Sequence, residues 1–327
     1  MKHGILEIQT DYLPLMEQWE VNYLIQNIRD IFKLNTKLLG EMDKAVCYFR
    51  EQQCDKALEL IVNSIDEVRQ SIEAIILNRE YFNLVNTESM LEMLTGILGA
   101  KKNRDYILLA DLLELQLINF LIGVQELIIG KEEIEFDEQS YHENMDLLLA
   151  HSEGLSLRLK EPINTSKLLE SGYRIEFTSC GLMTLAAENE GQTFYFHTNN
   201  KVQSEAFQLA RHWYRADKTS YTIYGFGMGY HIQELLAIAP EADITIYESD
   251  INVLQLACAF TDIRQVFSSP RVKLFYDPEF ILLREQLPRL EESQSFRVHY
   301  PSYKNVKNAE SRMLLADALP WLKTIEY

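Results

Sequence analysis

Positive charge is scarce in this chain: 31 Lys and Arg stand against 49 Asp and Glu over 327 residues, a formal net charge of -18. A surface field of that sign repels phosphate backbones and anionic lipid, which are held by counterion-releasing Lys and Arg clusters. Nucleic acid is therefore not expected as a partner, although backbone amides in one local pocket can still hold a nucleotide. Cysteine is scarcer still. Cys47, Cys54, Cys180 and Cys258 have neither the CxxC spacing of a metal site nor the density of a disulfide scaffold, and read as reduced thiols of a cytoplasmic protein. The chain opens without an apolar h-region or cleavage site, and no stretch reaches about 18 uninterrupted apolar residues. Neither a signal peptide nor a membrane span is expected. No internal repeat of fixed period is visible.

What is present is a globular composition, 47% hydrophobic and 24% charged, on a chain long enough for two cores. The patterning divides it into an α-helical bundle over residues 1–135 and a mixed domain over 136–327. In the first half Leu58, Ile61, Val62, Ile65, Val68, Ile72, Ile75 and Ile76 recur at helical spacing and predict one buried face. A second long helix, 104–129, carries Leu108, Leu109, Leu112, Leu115, Leu117, Ile118, Leu121 and Ile122, a stripe wide enough for burial on two sides. Shorter helices are predicted over 12–34, 36–51 and 87–98. Such a bundle offers a surface for a protein partner or a second copy of the chain. The acidic run 131–140, KEEIEFDEQS, reads as the linker, followed by a short helix over 141–150.

The period then changes to two. Segments 173–179, 182–188 and 193–198 predict an antiparallel meander within 171–200, turning at Cys180-Gly181 and Asn189-Glu190-Gly191. Over 201–327 strand and helix alternate: strands 222–224, 244–247, 272–276 and 296–300 are separated and followed by helices 230–238, 251–260, 279–287 and 308–322. That alternation implies a parallel sheet with ligands at the carboxyl ends of its strands.

The first of these strands runs into Gly225-Phe226-Gly227-Met228-Gly229 and directly into a helix. Glycine permits the tight turn and lets a ligand approach backbone without a Cβ, so a side chain at Gly227 is expected to block that approach. The GxGxG form is similar to that of class I methyltransferases, and the fold class expected is a helical bundle followed by a methyltransferase-like Rossmann domain with a small β-meander. Glu248 ends the second strand, where a carboxylate accepts hydrogen bonds from ribose hydroxyls, and Asp277 ends the third, where an acid can meet an adenine amino group. The alternative for both is a solvated carboxylate. His299, Tyr300, Ser302 and Tyr303 follow the fourth strand, the place of a methyltransferase catalytic loop. His299 itself reads first as a buried, hydrogen-bonded imidazole, since no second ligand stands at metal or triad spacing. His231 reads as a residue that lines or caps the first helix, and no metal site is expected. Against S-adenosylmethionine, Ile223 occupies the position where methyltransferases carry an acid for the methionine ammonium.

With these residues identified, the run Phe194–Thr198, the downstream Glu205-Ala206 helix, the Tyr224–His231 turn, Ile246–Asp250 and His299–Lys304 resemble the amino-terminal Rossmann-like region of motility-associated-factor (Maf) glycosyltransferases, which attach nonulosonic acids to flagellin. The resemblance spans roughly residues 141–327. It implies an accessory or ligand-binding protein of flagellin or surface glycosylation without the family's second, hydroxymethylpterin-diphosphokinase-like domain. Two other readings stay open: an S-adenosylmethionine-dependent methyltransferase, and a sugar-nucleotide-binding transferase with His197, Tyr300, Ser302, Tyr303 and Lys304 as polar lining. The ligand expected in each case is nucleotide-like, held at Gly225, Gly227, Gly229, Glu248 and Asp277.

Overall fold

The computed structural model describes residues 6–8, 18–134, 137–153, 155, 172–189 and 191–319. These fall into two compact units, one within Leu6–Glu135 and Phe177–Leu182, the other within Phe136–Glu176 and Met183–Tyr327.

The first unit opens with a short strand β1 (Leu6–Ile8) and then α1 (Gln18–Arg50), α2 (Cys54–Leu77), α3 (Thr87–Asn103), α4 (Tyr106–Leu112) and α5 (Ile118–Ile129). Ile28, Ile31, Phe32, Ile75, Phe82, Val124 and Ile128 form one core cluster, drawn from α1, α2, α5 and the α2–α3 loop. Burial of each such side chain contributes about 1.5–3 kcal/mol. The break expected near residue 35 is absent: α1 runs through it as one helix. Asn35, a poor helix former, is fully buried and accepts a hydrogen bond from Ser71 Oγ at 2.5 Å, and Thr36 Oγ1 donates to the Phe32 carbonyl at 2.9 Å. Side-chain bonds of this kind absorb the polar groups that otherwise compete with helix.

The buried face of α2 is narrower than its apolar residues suggested. Ala57, Ile61, Ser64, Val68, Ser71, Ile72 and Ile75 are buried, while Val62, Ile65 and Ile76 are exposed. Between α4 and α5 the chain forms a π-helical turn, Leu113–Leu117. Its extra residue per turn shifts the phase of the ladder. Leu109, Leu113, Leu117, Leu121, Val124 and Ile128 are buried, and Leu108 and Leu115 are exposed, so burial is on one side rather than two. Among the described residues Tyr106–Ile129 is the one helix long and apolar enough to cross a membrane; Arg50 of α1 pairs with its Asp111 and Glu114 at 2.6 and 2.9 Å. The segment expected as a linker is partly structured. Strand β2 (Glu132–Ile134) pairs antiparallel with β1, and Asp137 caps α6 (Glu138–Ala150) by accepting from the Gln139 amide. The expected boundary at 135/136 lies outside the described residues.

The second unit contains α6, β3 (Ser152–Glu153), a three-stranded meander β4 (Tyr173–Phe177), β5 (Met183–Asn189), β6 (Gln192–Tyr195), and α7 (Val202–Trp213). There follow β7 (Ser220–Tyr224), α8 (Tyr230–Ile238), β8 (Asp243–Glu248), α9 (Ile251–Phe260), α10 (Arg264–Phe267), β9 (Val272–Tyr276), α11 (Ile281–Gln286), β10 (Gln294–Val298), α12 (Tyr300–Lys304) and α13 (Ala309–Ala316). The parallel strands lie in the order β10-β7-β8-β9-β3. Tyr221, Thr222, Ile223 and Tyr224 are all buried, the continuous pattern of a strand covered on both faces. Strand order runs outward from β7 through β8 to β9 and then returns to β7's other side with β10. The turns after β7 and β10 therefore meet at the point where the order reverses, the position at which open α/β sheets form a crevice.

Candidate functional site

Gly225, Gly227 and Gly229 adopt φ of 99°, 53° and 83°, a left-handed backbone that side chains with a Cβ resist. Register fixes the turn: Gly225 N–H donates to the Tyr247 carbonyl at 2.8 Å and His299 N–H to the Tyr224 carbonyl at 2.9 Å. The space a Cβ would take is filled from within the protein. At Gly225 it would collide with Ser302, and at Gly227 it would lie 3.0 Å from His299 Cε1 and 3.1 Å from His197 Nε2.

The turn thereby brings together three histidines far apart in sequence. His197, His231 and His299 are all buried, and one ring nitrogen of each lies within 4.8 Å of one from each other ring. His231 and His299 stack nearly parallel, with centroids 4.3 Å apart and an interplanar angle of 9°. Each ring is anchored on one nitrogen: His197 Nδ1 faces Glu205 Oε1 at 3.3 Å, His299 Nδ1 faces Ser302 Oγ at 2.8 Å, and His231 Nε2 faces the Gly225 carbonyl at 3.2 Å. His231 Nδ1 has no hydrogen-bond partner, and His299 Nε2 has no close one, although the Phe196 backbone acts on that ring. Burial, reinforced by the neighbouring imidazoles, pushes His231 down to about 3 and His299 well below the usual histidine range. The Phe196 backbone only partly offsets this at His299. Both rings are neutral at neutral pH.

The two strand-end acids are buried rather than solvated. Glu248 Oε2 accepts from the Phe226 amide, and its Oε1 from the amides of Ser249 and Asp250, each at 2.9 Å. Burial lifts its carboxyl to about 7, against the opposing pull of those amides. Asp277 Oδ1 accepts from Ile281 N–H at 2.9 Å and Oδ2 from Leu283 N–H at 2.8 Å, at the start of α11. Both carboxylates thus organise their own loops.

A cavity of about 590 Å³ opens beside the histidines. Its lining includes His197, Glu205, Trp213, Arg215, Arg297, His299 and Tyr300, and none of Gly225, Gly227, Gly229, Glu248 or Asp277. Arg297 donates to the carbonyls of Phe296 and Trp213 at 3.1 and 3.2 Å, and its Nε is buried without a partner. Arg215 donates to the carbonyls of His212 and Tyr214 at 3.1 and 2.9 Å. Neither guanidinium forms an ion pair among the described residues. Glu205, on the same wall, is held by His197 and by the Thr198 amide at 2.7 Å.

Of the other candidates, Ser302 is buried against His299, and Tyr303 stacks on Tyr300 with centroids 6.0 Å apart. Lys304 Nζ sits 5.0 Å from the Phe194 ring centroid, away from the cavity wall. Sequence reasoning passed over Trp213, Arg215 and Arg297, and gave no site role to Glu205 or His231. The signal for Arg297 was present, a cation inside the apolar strand Phe296-Arg297-Val298.

A family model described as domain of unknown function (DUF8042) matches residues 26–127, within the helical unit. No curated protein and no solved structure matches the chain.

Proposed function

We propose that the second unit is a Rossmann-like binding module for an anionic small molecule of the sugar-nucleotide class. Its setting is bacterial flagellin or surface-glycan modification, as the resemblance to the Maf proteins implies. The observation that carries the reading is the pair of guanidiniums, Arg215 and Arg297, on the wall of a cavity, with no carboxylate among the described residues at ion-pair distance from either; Asp217 acts on Arg215 from farther away. In a chain of net charge -18 a pair of guanidiniums on one cavity wall suits a phosphate or a sugar carboxylate. His197 and Tyr300 supply further polar contacts on the same wall. Exposed Leu91 and Leu98, seven residues apart on one face of α3, support a protein-docking role for the helical unit.

Thermal-shift measurements with cytidine- and uridine-diphosphate sugars, nonulosonic acid nucleotides and S-adenosylmethionine test this, because a ligand that binds only the native state raises its melting temperature. A sugar nucleotide is expected to stabilise the protein, with S-adenosylmethionine weak or without effect. Arg297→Gln is expected to weaken binding roughly ten- to a hundredfold, the worth of one charge-assisted hydrogen bond of about 1.5–3 kcal/mol. Micromolar binding of S-adenosylmethionine, tighter than that of every sugar nucleotide, overturns the reading in favour of a methyltransferase.

A further inference from the structure

We propose that His197, His231 and His299 form a binding site for a divalent transition-metal ion of the zinc class, with its open coordination position facing the cavity. The argument begins with the donors. Three buried imidazoles present ring nitrogens within 4.8 Å of one another, and imidazole is the ligand common to zinc, copper, iron and nickel sites.

The second observation is independent of that proximity. A metal-bound histidine uses one nitrogen for the ion and holds its other N–H against a carboxylate, carbonyl or hydroxyl, which fixes tautomer and ring orientation. All three rings have such an anchor here: the Glu205 carboxylate for His197, the Gly225 carbonyl for His231 and the Ser302 hydroxyl for His299; because the His231 and His299 rings stack face to face, one of the two must turn out of that stack for both to reach a single ion. The nitrogens left over are His197 Nε2, His231 Nδ1 and His299 Nε2. His231 Nδ1 is buried with no partner, on a side chain that is 0% exposed, and His299 Nε2, on a side chain that is 1% exposed, has no close bond, although the Phe196 backbone acts on the ring. Buried polar atoms without a partner are uncommon in native proteins, and His231 Nδ1 in this cluster marks a place where a ligand completes the bonding. The third, His197 Nε2, accepts a long bond of 3.3 Å from the Met228 amide, which ligation replaces.

Three protein ligands with one position left open is the arrangement of zinc sites that act on a bound molecule rather than sites that only hold a fold. His197 and His299 line the cavity, so that fourth position faces the same space as Arg215 and Arg297. An oxygen of an anionic ligand there would meet the metal and the guanidiniums together. The glycine turn is part of the construction, since a Cβ at Gly227 would press between His197 and His299.

The site is tested without any organic ligand, so its failure is distinguishable from failure of the sugar-nucleotide reading. The full-length protein is stripped with a chelator and titrated with Co²⁺, which reports tetrahedral nitrogen coordination through intense visible d–d bands, and then with Zn²⁺ in competition. One equivalent of Co²⁺ is expected to bind, with the band bleached by Zn²⁺. His231→Gln and His299→Gln are each expected to weaken binding at least a hundredfold, with circular dichroism monitoring their fold. Where a variant does not fold, electron spin-echo spectroscopy of the wild-type Cu²⁺ complex counts coordinated imidazoles directly. Absence of a stoichiometric d–d spectrum in the wild type, fewer than three coordinated imidazoles, or undiminished affinity in folded variants overturns the proposal.

Discussion

Gly227 is the residue at which conformation and contact act together. Its φ of 53° costs a residue with a Cβ about 1–2 kcal/mol, and the added atom would also press on two buried imidazoles at 3.0 and 3.1 Å. Gly227→Ala is therefore expected to lose about 1–3 kcal/mol of folding stability in urea melts. An unchanged melt contradicts the packing described. A side chain at this position was expected from sequence to exclude a ligand, with damage to the fold as the rival outcome; it meets the protein's own His197 and His299 first. Glu248 carries the second residue-scale prediction. Its carboxyl titrates near 7 in the folded protein and near 4.3 when unfolded, so the native state holds a proton that the unfolded chain has released. The sign follows: this contribution is fully present below about pH 4 and is lost as pH rises through 7, about 4 kcal/mol in all. Glu248→Gln removes the titration, and its stability should fall less steeply than the wild type's between pH 5 and 8. Parallel pH profiles refute the assignment. The candidate site was legible in part: the glycines and the residues after β10 stood out through local spacing. The histidine cluster did not, because only strand order brings His197, His231 and His299 to one place.

Among the elements, the α1–α2 pair rests on a polar contact inside its core. Asn35 and Ser71 are both fully buried, and the Asn35 amide nitrogen has no partner. Removing the Ser71 hydroxyl strands the Asn35 oxygen as well, at a cost of about 1–3 kcal/mol. Ser71→Ala should be destabilised by that amount, and Asn35→Leu combined with Ser71→Ala should recover most of it. Chemical denaturation of the two variants decides; a double variant weaker than the single one rejects the account. This contact also shows why the helical half was harder to read than the strands. The helices 230–238 and 251–260 and the strand 272–276 match their expected ends, since a left-handed glycine, an aspartate cap and a short β-rich run mark them locally. Helix α1 lacks such a mark at residue 35, where the side-chain oxygen of a residue that reads as a breaker is bonded from another helix. Strands β1, β2 and β3 are two or three residues long and exist through pairing, which no window of sequence displays.

For the whole molecule, the division into two units does not follow a single cut in the chain. Residues 177–182, between β4 and β5, belong with the helices: Phe177 packs edge-on against Phe32 with centroids 6.1 Å apart, and Ser179 Oγ donates to Glu126 at 3.0 Å. Gly181, at φ 86°, leaves no room for a Cβ beside Gln125 and Thr36. Expressed as separate chains, 1–135 and 136–327 should co-purify, because the second carries the segment that completes the first. Independent elution of two folded fragments on size exclusion contradicts this. The same threading sets an order of events during synthesis. Domains encoded first ordinarily fold first as the chain emerges at about 5–20 residues per second. Here the contacts that residues 177–182 make with the amino-terminal helices can form only once residue 182 has left the ribosome, so the earlier half of the protein reaches its finished form on the later half's schedule.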